Sequence, residues 1–337
     1  MATALVLAGL LAACTGTSTT QRKSELKLGY MPNLTHAAAL VGLEKGIFER
    51  ELGRDARVEP QLFKAGGQAV EAFFSGALDA AYVGPGPAIN AFEKSGGEAV
   101  RIVSGATAGG VYFVVQPWVS GAGDLRGHRL AAPQYGNTQD VALRTWLGEN
   151  GIRTTSSGEG DVEIVYQDNA QTLETFQSGG VAGAWVPEPW ASRLVLEADG
   201  KVLVDEKDLW PGGRYPATLL LVHPRLLAEH PEMVEGLVRG HAEANEFIRS
   251  HPNEALQITG EAIDRLTGAA LSVEVLESSW ANLEFTDDPM VSSLAASARE
   301  AAALGYIEPI EVADAVDLEH LNARRVAHGA LGIKAVP

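Results

Sequence analysis

Five consecutive residues, Gly136-Asn137-Thr138-Gln139-Asp140, join a glycine turn to side chains that both donate and accept hydrogen bonds. They stand between an apolar, strand-like run and the helically spaced 141–147. A helix that starts there presents unsatisfied backbone N–H groups and the positive end of its dipole, which together attract an anion. Thr138 and Gln139 can add side-chain donors to a sulfonate, carboxylate or nitrate oxygen. The plainer alternative is that Asn137 or Thr138 only caps the helix.

The same pattern of strand, glycine turn and helix recurs. Gly66-Gly67-Gln68 follows one strand-like run, with Lys64 just before it, and Gly84-Pro85-Gly86-Pro87 follows another. Gly84 and Gly86 lack side chains, so the backbone beside Pro85 can approach a ligand closely, or the four residues form only a tight turn. Trp185 and Trp190 offer apolar walls or a face for a cation, although Trp185 on a strand is equally a core residue. Glu188 between them would repel a bare anion and pair with an amine; its alternative is an ion pair with Arg193 or Arg214. Tyr30, Asn33 and His36 lie at the end of the first strand, where Asn33 can cap a helix and His36 can either donate to an anion or pack.

These residues need strands that end where they begin. Alternation and apolar runs predict strands over 26–30, 56–63, 80–83 and 100–106, with helices over 37–52, 70–75 and 88–94 between them. Three βα units in so short a stretch predict a parallel, doubly wound sheet. From Gly110 a second set follows: strands over 111–115, 129–133, 162–166, 183–186 and 201–204, with helices near 141–147, 171–177 and from Pro189. After a strand over 218–222, helices are expected over 231–250, 252–267, 273–283, 289–304 and 312–325, with no sheet of their own. The organisation is α/β: two doubly wound lobes, 26–110 with 217–337 and the inserted 111–216, joined by two crossovers near Gly109–Val111 and Tyr215–Thr218. Ligands of open α/β sheets bind outside the carboxyl ends of the strands, which here means the cleft between lobes.

The 337 residues suffice for two such lobes, and 46% hydrophobic with 20% charged residues is a soluble globular composition. A formal net charge of −17 argues against a nucleic-acid partner held through phosphates. It also means that a bound anion must be held by local dipoles. The only cysteine, Cys14, excludes disulfides within the chain and cysteine-based metal clusters. No metal and no cofactor are expected.

Cys14 closes an apolar run, MATALVLAGLLAAC, that is too short to span a bilayer. It has the apolar core and small-residue end of a secretory signal, without the basic start, as if the true start lay upstream of Met1. Leu11-Ala12-Ala13-Cys14 resembles the lipobox of bacterial lipoproteins. That resemblance implies a signal peptide over 1–14, lipidation of Cys14 and a tether over 15–25, which holds the protein outside the cytoplasm at the membrane surface.

Beyond the lipobox, four stretches carry a wider resemblance: Leu28–Asn33 through Leu43–Phe48, Phe73–Ala81, Gly136–Gln139, and Phe176–Trp190. The chain resembles the substrate-binding proteins of ABC importers, in the family that serves nitrate, taurine and aliphatic sulfonates. The resemblance implies the two-lobed, type II-like fold of periplasmic binding proteins. It also implies permease and ATPase subunits as partners, a small anion or zwitterion as ligand, and no catalysis. Its ligand residues would be Tyr30, Asn33, His36, Gly67, Gln68, Gly84, Pro85, Gly86, Asn137, Thr138, Gln139, Trp185, Glu188 and Trp190. Gly183 and Glu188 stand where the family more often has aspartate, which leaves the ligand open. A receptor for a thiamine-precursor pyrimidine shares this fold, and tryptophan-rich walls suit it. An enzyme on the same fold is the third possibility, but its relatives carry a cysteine-rich motif. This chain has no such motif, nor a Gly-x-Ser-x-Gly, a Walker loop or a histidine pair at metal spacing.

Overall fold

The computed structural model describes residues 24–54, 56–155 and 157–335, so Cys14 and most of the tether lie outside the described residues. The chain runs β1 (Ser24–Tyr30), α1 (Ala37–Glu44), α2 (Ile47–Leu52), β2 (Ala56–Leu62), α3 (Gly66–Phe74), β3 (Ala80–Val83), α4 (Pro85–Lys94) and β4 (Arg101–Gly109). It crosses over into β5 (Val111–Val115), β6 (Arg129–Ala132), α5 (Thr138–Glu149), β7 (Glu163–Tyr166), α6 (Asn169–Gln177), β8 (Gly183–Pro187), α7 (Trp190–Glu197) and β9 (Lys201–Asp205). It returns through β10 (Pro216–Val222), α8 (Pro224–Glu229), α9 (Pro231–Ser250), α10 (Pro252–Thr267), α11 (Val273–Ala281), β11 (Leu283–Phe285), α12 (Val291–Ala303) and α13 (Glu319–Ala327).

Two sheets result, of order β11-β4-β10-β3-β1-β2 and β7-β6-β8-β5-β9. The expected purely parallel arrangement is corrected by one inner strand in each, and by β11 at the edge of the first. In the first sheet, β10 runs antiparallel between β3 and β4; in the second, β5 runs antiparallel between β8 and β9. Both inner strands carry the chain across from the other lobe, so they enter their sheet from the opposite end. The two lobes thus share one plan, in which an incoming strand separates the last codirectional strand from the other three.

The apolar run Leu219-Leu220-Leu221-Val222 shows why neither sheet has a polar face. Leu220 and Val222 pack under α1, α9 and α10, whereas Leu219 and Leu221 pack under α3, α4 and α12. In the second lobe, Phe113, Val115 and Trp185 meet α5, and Val114, Ala184 and Val186 meet α6 and α7. Each large side chain so enclosed contributes about 1.5–3 kcal/mol.

Five local expectations change, one of them the helix expected over 312–325, which is a 3₁₀ turn over Val312–Ala315 followed by α13. The helix expected over 37–52 breaks into α1 and α2 at Gly46, whose φ of +60° ends the first and starts the second. The expected turns at 65–68 and 84–87 are already helix, because Pro85 at N1 suits a first turn and lacks only an amide that would be unpaired there. The helix expected over 273–283 stops at Ala281, and Leu283–Phe285 joins the sheet edge beside β4. The short α8 was not foreseen. At the first crossover Gly109 and Gly110 both take left-handed φ, +74° and +71°, and a side chain at Gly110 would strike Leu283.

Candidate functional site

The helices α3, α4, α5 and α7 start at the carboxyl ends of β2, β3, β6 and β8, and all four start at the seam between lobes. Neither α3 nor α4 is capped by its own chain segment, since Ala65 and Gly84 at their N-caps offer no side-chain acceptor. The caps come from the other lobe. Gly67 N–H donates to Oε1 of Gln134 at 3.2 Å, and Gly86 N–H donates to Oγ1 of Thr138 at 3.0 Å. A Cβ at Gly86 would lie 2.6 Å from the Thr138 nitrogen, so only glycine permits this approach.

Thr138 and its neighbours are held by a compact helix start. Asn137 caps α5, its Oδ1 accepting from Asp140 N–H at 2.9 Å and its amide donating to Gln139 Oε1 at 3.0 Å. Asp140 is fully buried and accepts from Gly136 N–H at 2.9 Å, Arg144 Nε at 3.0 Å and Tyr166 O–H at 3.1 Å. A fourth donor, the Tyr306 hydroxyl, comes from the first lobe just after α12. Tyr306 also packs edge-on against Tyr135, with ring centroids 4.9 Å apart. Burial, and the Asp140 charge beside them, hold the Tyr166 and Tyr306 hydroxyls protonated, that of Tyr166 pushed up to about 12.

A pocket of about 280 Å³ opens beside these contacts. Gly67, Gln68, Asn90 and Lys94 line it from the first lobe and Gln134 and Asn137 from the second. Gln68 also accepts from Lys64 N–H through Oε1 at 3.0 Å. Polar groups from both lobes, helix starts, one lysine and one carboxylate, Glu71, therefore converge on a space that fits a small solute.

Of the residues singled out from the sequence, Gly67, Gln68 and Asn137 meet in this pocket, and Gly84, Pro85, Gly86 and Thr138 form the adjoining contact. Gln139 stays beside Asn137. The others lie elsewhere. Asn33 caps a short 3₁₀ turn, its Oδ1 accepting from Leu34 N–H. His36 is buried against Tyr82, and burial pushes its pKa down to about 3, so it stays neutral. Tyr30 is buried in the first lobe, where Glu44 and Arg265 lie near its hydroxyl. Trp185 is fully buried, stacked on Phe113 at 5.3 Å, with its indole N–H donating to Glu206 Oε2 at 2.6 Å.

Glu188 makes neither expected ion pair, because Arg193 pairs with Glu197 and Arg214 with Glu284. Its buried carboxylate instead accepts from Ser192 N–H and O–H, both at 3.0 Å, and from Asn282 Nδ2 at 2.8 Å. Burial raises its pKa against those donors. Asn282 belongs to the first lobe, so Glu188 ties α7 across the seam. Trp190, half-buried at the first turn of α7, carries the Arg193 guanidinium 4.9 Å above its ring. Gln134, Tyr135 and Tyr306 were missed, and of these only Gln134 carried a signal, its place one turn before Asn137; Asp140 stood in the opening stretch, but its burial and its Tyr306 partner did not show.

Comparison with known proteins bears on the family and the fold. The model of the NMT1-like family matches residues 19–260. The taurine-binding periplasmic protein of Escherichia coli (strain K12) is 27% identical over 64% of this chain and 64% of its own length. Among solved structures, the alkanesulfonate-binding protein SsuA of Xanthomonas axonopodis pv. citri, bound to MOPS, superposes with a TM-score of 0.72 at 20% identity, covering 88% of this chain and 99% of that one. The periplasmic nitrate-binding protein NrtA of Synechocystis PCC 6803 gives 0.70 at 17% identity, covering 91% and 89%. The two-lobed fold and the resemblance read from the sequence are borne out, and the chain belongs to the NMT1-like family.

Proposed function

We propose that this protein is the solute-binding component of an ABC importer, and that it captures a small anion or zwitterion of the sulfonate, taurine or nitrate class at the interlobe seam. One observation carries the reading. Two helix starts of the first lobe have their amides satisfied by oxygens of Gln134 and Thr138 from the second. Those oxygens stand where the oxygens of an anionic solute would bind, so solute and lobe contact compete for the same donors. The protein works by binding, without chemistry: the relatives named above are binding proteins, and permease and ATPase subunits are its partners. Among the described residues no three or more His, Cys, Asp or Glu gather to hold a metal ion, and no helix is long and apolar enough to cross a membrane. Attachment to the membrane falls to a lipid on Cys14. The ligand residues within this reading are Gly67, Gln68, Gly84, Pro85, Gly86, Asn137, Thr138 and Gln139, with Trp190 at the margin.

A pyrimidine ligand is the second reading, favoured by Phe74, Tyr135 and Tyr306 on the walls of the same pocket. A thermal-shift panel of alkylsulfonates, taurine, nitrate, bicarbonate and pyrimidines separates the two. At a hundredfold excess over Kd a true ligand adds about 2.7 kcal/mol of stability and is recovered unchanged. No shift by any compound, or consumption of one, defeats the proposal.

A further inference from the structure

The tie between Glu188 and Asn282 stands at a different place from the other cross-lobe contacts. Glu188 N–H donates to the Gly110 carbonyl at 2.8 Å, and Leu283, next to Asn282, pairs with Gly109 in the first sheet. Both partners therefore sit directly on the two glycines of the first crossover. The second crossover is bound to the first at the same place. Tyr215 accepts from Gly109 N–H through its carbonyl at 3.3 Å and from Val111 N–H through its hydroxyl at 3.1 Å. Ser192 and Ser278 extend the tie from α7 to α11, their Oγ atoms 3.1 Å apart. Glu188 and Ser192 are buried, so water does not readily replace their partners.

The contact between Gly67 and Gln134 lies at the opposite edge. Asn282 leads into β11 and Gly67 follows β2, the two outermost strands of the first sheet. Five strand spacings of about 4.8 Å separate them, a lever of roughly 24 Å. A rotation of about 15° at the crossovers then parts Gly67 from Gln134 by roughly 6 Å and barely disturbs the Glu188 tie. The half-exposed rings of Phe74 and Tyr135 flank that opening, one from each lobe.

We infer that Glu188, Ser192, Ser278 and Asn282 form a fixed pivot beside the crossover glycines, kept in the open and the closed protein alike. The cleft then opens at the β2 edge, and solute enters between Phe74 and Tyr135. The inference rests on the solute-binding reading for what enters, and on the contacts alone for the pivot.

Cysteines at the pivot test this. In the full chain with Cys14→Ser, Ser192→Cys with Ser278→Cys should form a disulfide under diamide in the solute-free protein. Adding Gly86→Ala, whose Cβ meets Thr138 and holds the seam apart, should leave the rate within about twofold. A rate lower by about tenfold or more, or no cross-link in the free protein, overturns the pivot. The cross-linked protein should bind taurine, nitrate or ethanesulfonate, whichever the wild type takes, with a Kd within about twofold of the reduced form. Affinity lost on oxidation and regained on reduction overturns the pivot and leaves solute binding standing. Absence of binding of all three by the wild type defeats the solute reading, and the cross-linking rates still judge the pivot. Hydrogen exchange repeats the comparison without cysteines, since Gly86→Ala should speed exchange over 66–70 and leave 189–193 unchanged. Faster exchange over 189–193, or none over 66–70, overturns the inference.

Discussion

Replacing Tyr306 by Phe removes one hydroxyl and isolates what holds the lobes together. Asp140 has four donors besides its place in the helix: Gly136, Arg144 and Tyr166 from its own lobe, and Tyr306 from across the seam. Loss of the Tyr306 hydroxyl leaves the carboxylate still satisfied, with Gly136 N–H on the same oxygen, so no buried charge is orphaned. The cost is the net worth of one hydrogen bond to a charged group, about 1.5 kcal/mol at the low end of that range. The ring's edge contact with Tyr135 survives in phenylalanine. Because the bond exists only with the lobes apposed, the cost falls on the closed state, and apparent affinity should drop about tenfold. Titration of Tyr306→Phe with the strongest compound of the panel measures this, and melting without ligand supplies the control. Unchanged affinity would refute the seam as a closing surface. A large loss of stability in the free protein would instead make Tyr306 a core residue of one lobe.

Three further outcomes follow from the same contacts. Gly86→Ala puts a Cβ 2.6 Å from the Thr138 nitrogen and should hold the lobes apart, seen as a larger radius of gyration in small-angle scattering with solute present; an unchanged radius counts against the close approach. Glu206, raised from 4.5 to about 7 by burial and opposed by its indole donors, holds its proton longer folded than unfolded. Its contribution to stability is whole below about pH 4.5 and falls by about 1.4 kcal/mol per pH unit up to about 7. Glu206→Gln should flatten urea-measured stability across that window, and an unaltered slope argues against the raised pKa. Lipid attachment at Cys14 predicts incorporation of labelled palmitate that Cys14→Ser abolishes; label retained in the variant places the anchor elsewhere.

The lobes were legible because their cues are local. The run 219–222 is apolar on both faces, and the start of α5 announces itself by Asn137. Strand direction was not legible, since β5 and β10 look like any buried strand until the crossover fixes which end they enter. The site was half legible for a related reason. Gly67, Gly86 and Thr138 belong to turns with visible chemistry, whereas Tyr306 acts on Asp140 from 166 positions away, a pairing no spacing rule reveals. On sequence alone Glu188 either pairs with a ligand amine or forms an ion pair with Arg193 or Arg214, because a charge on a loop usually points outward. Here Asn282 and Ser192 supply enough donors to bury it.

The most direct measurement is a crystal structure of the protein with the compound that the thermal-shift panel selects. The account predicts density at the seam, with solute oxygens taking the Gly67 or Gly86 amide in place of Gln134 or Thr138 and touching residues of both sheets. A solute held by one lobe alone, with both cross-lobe caps intact, would contradict it.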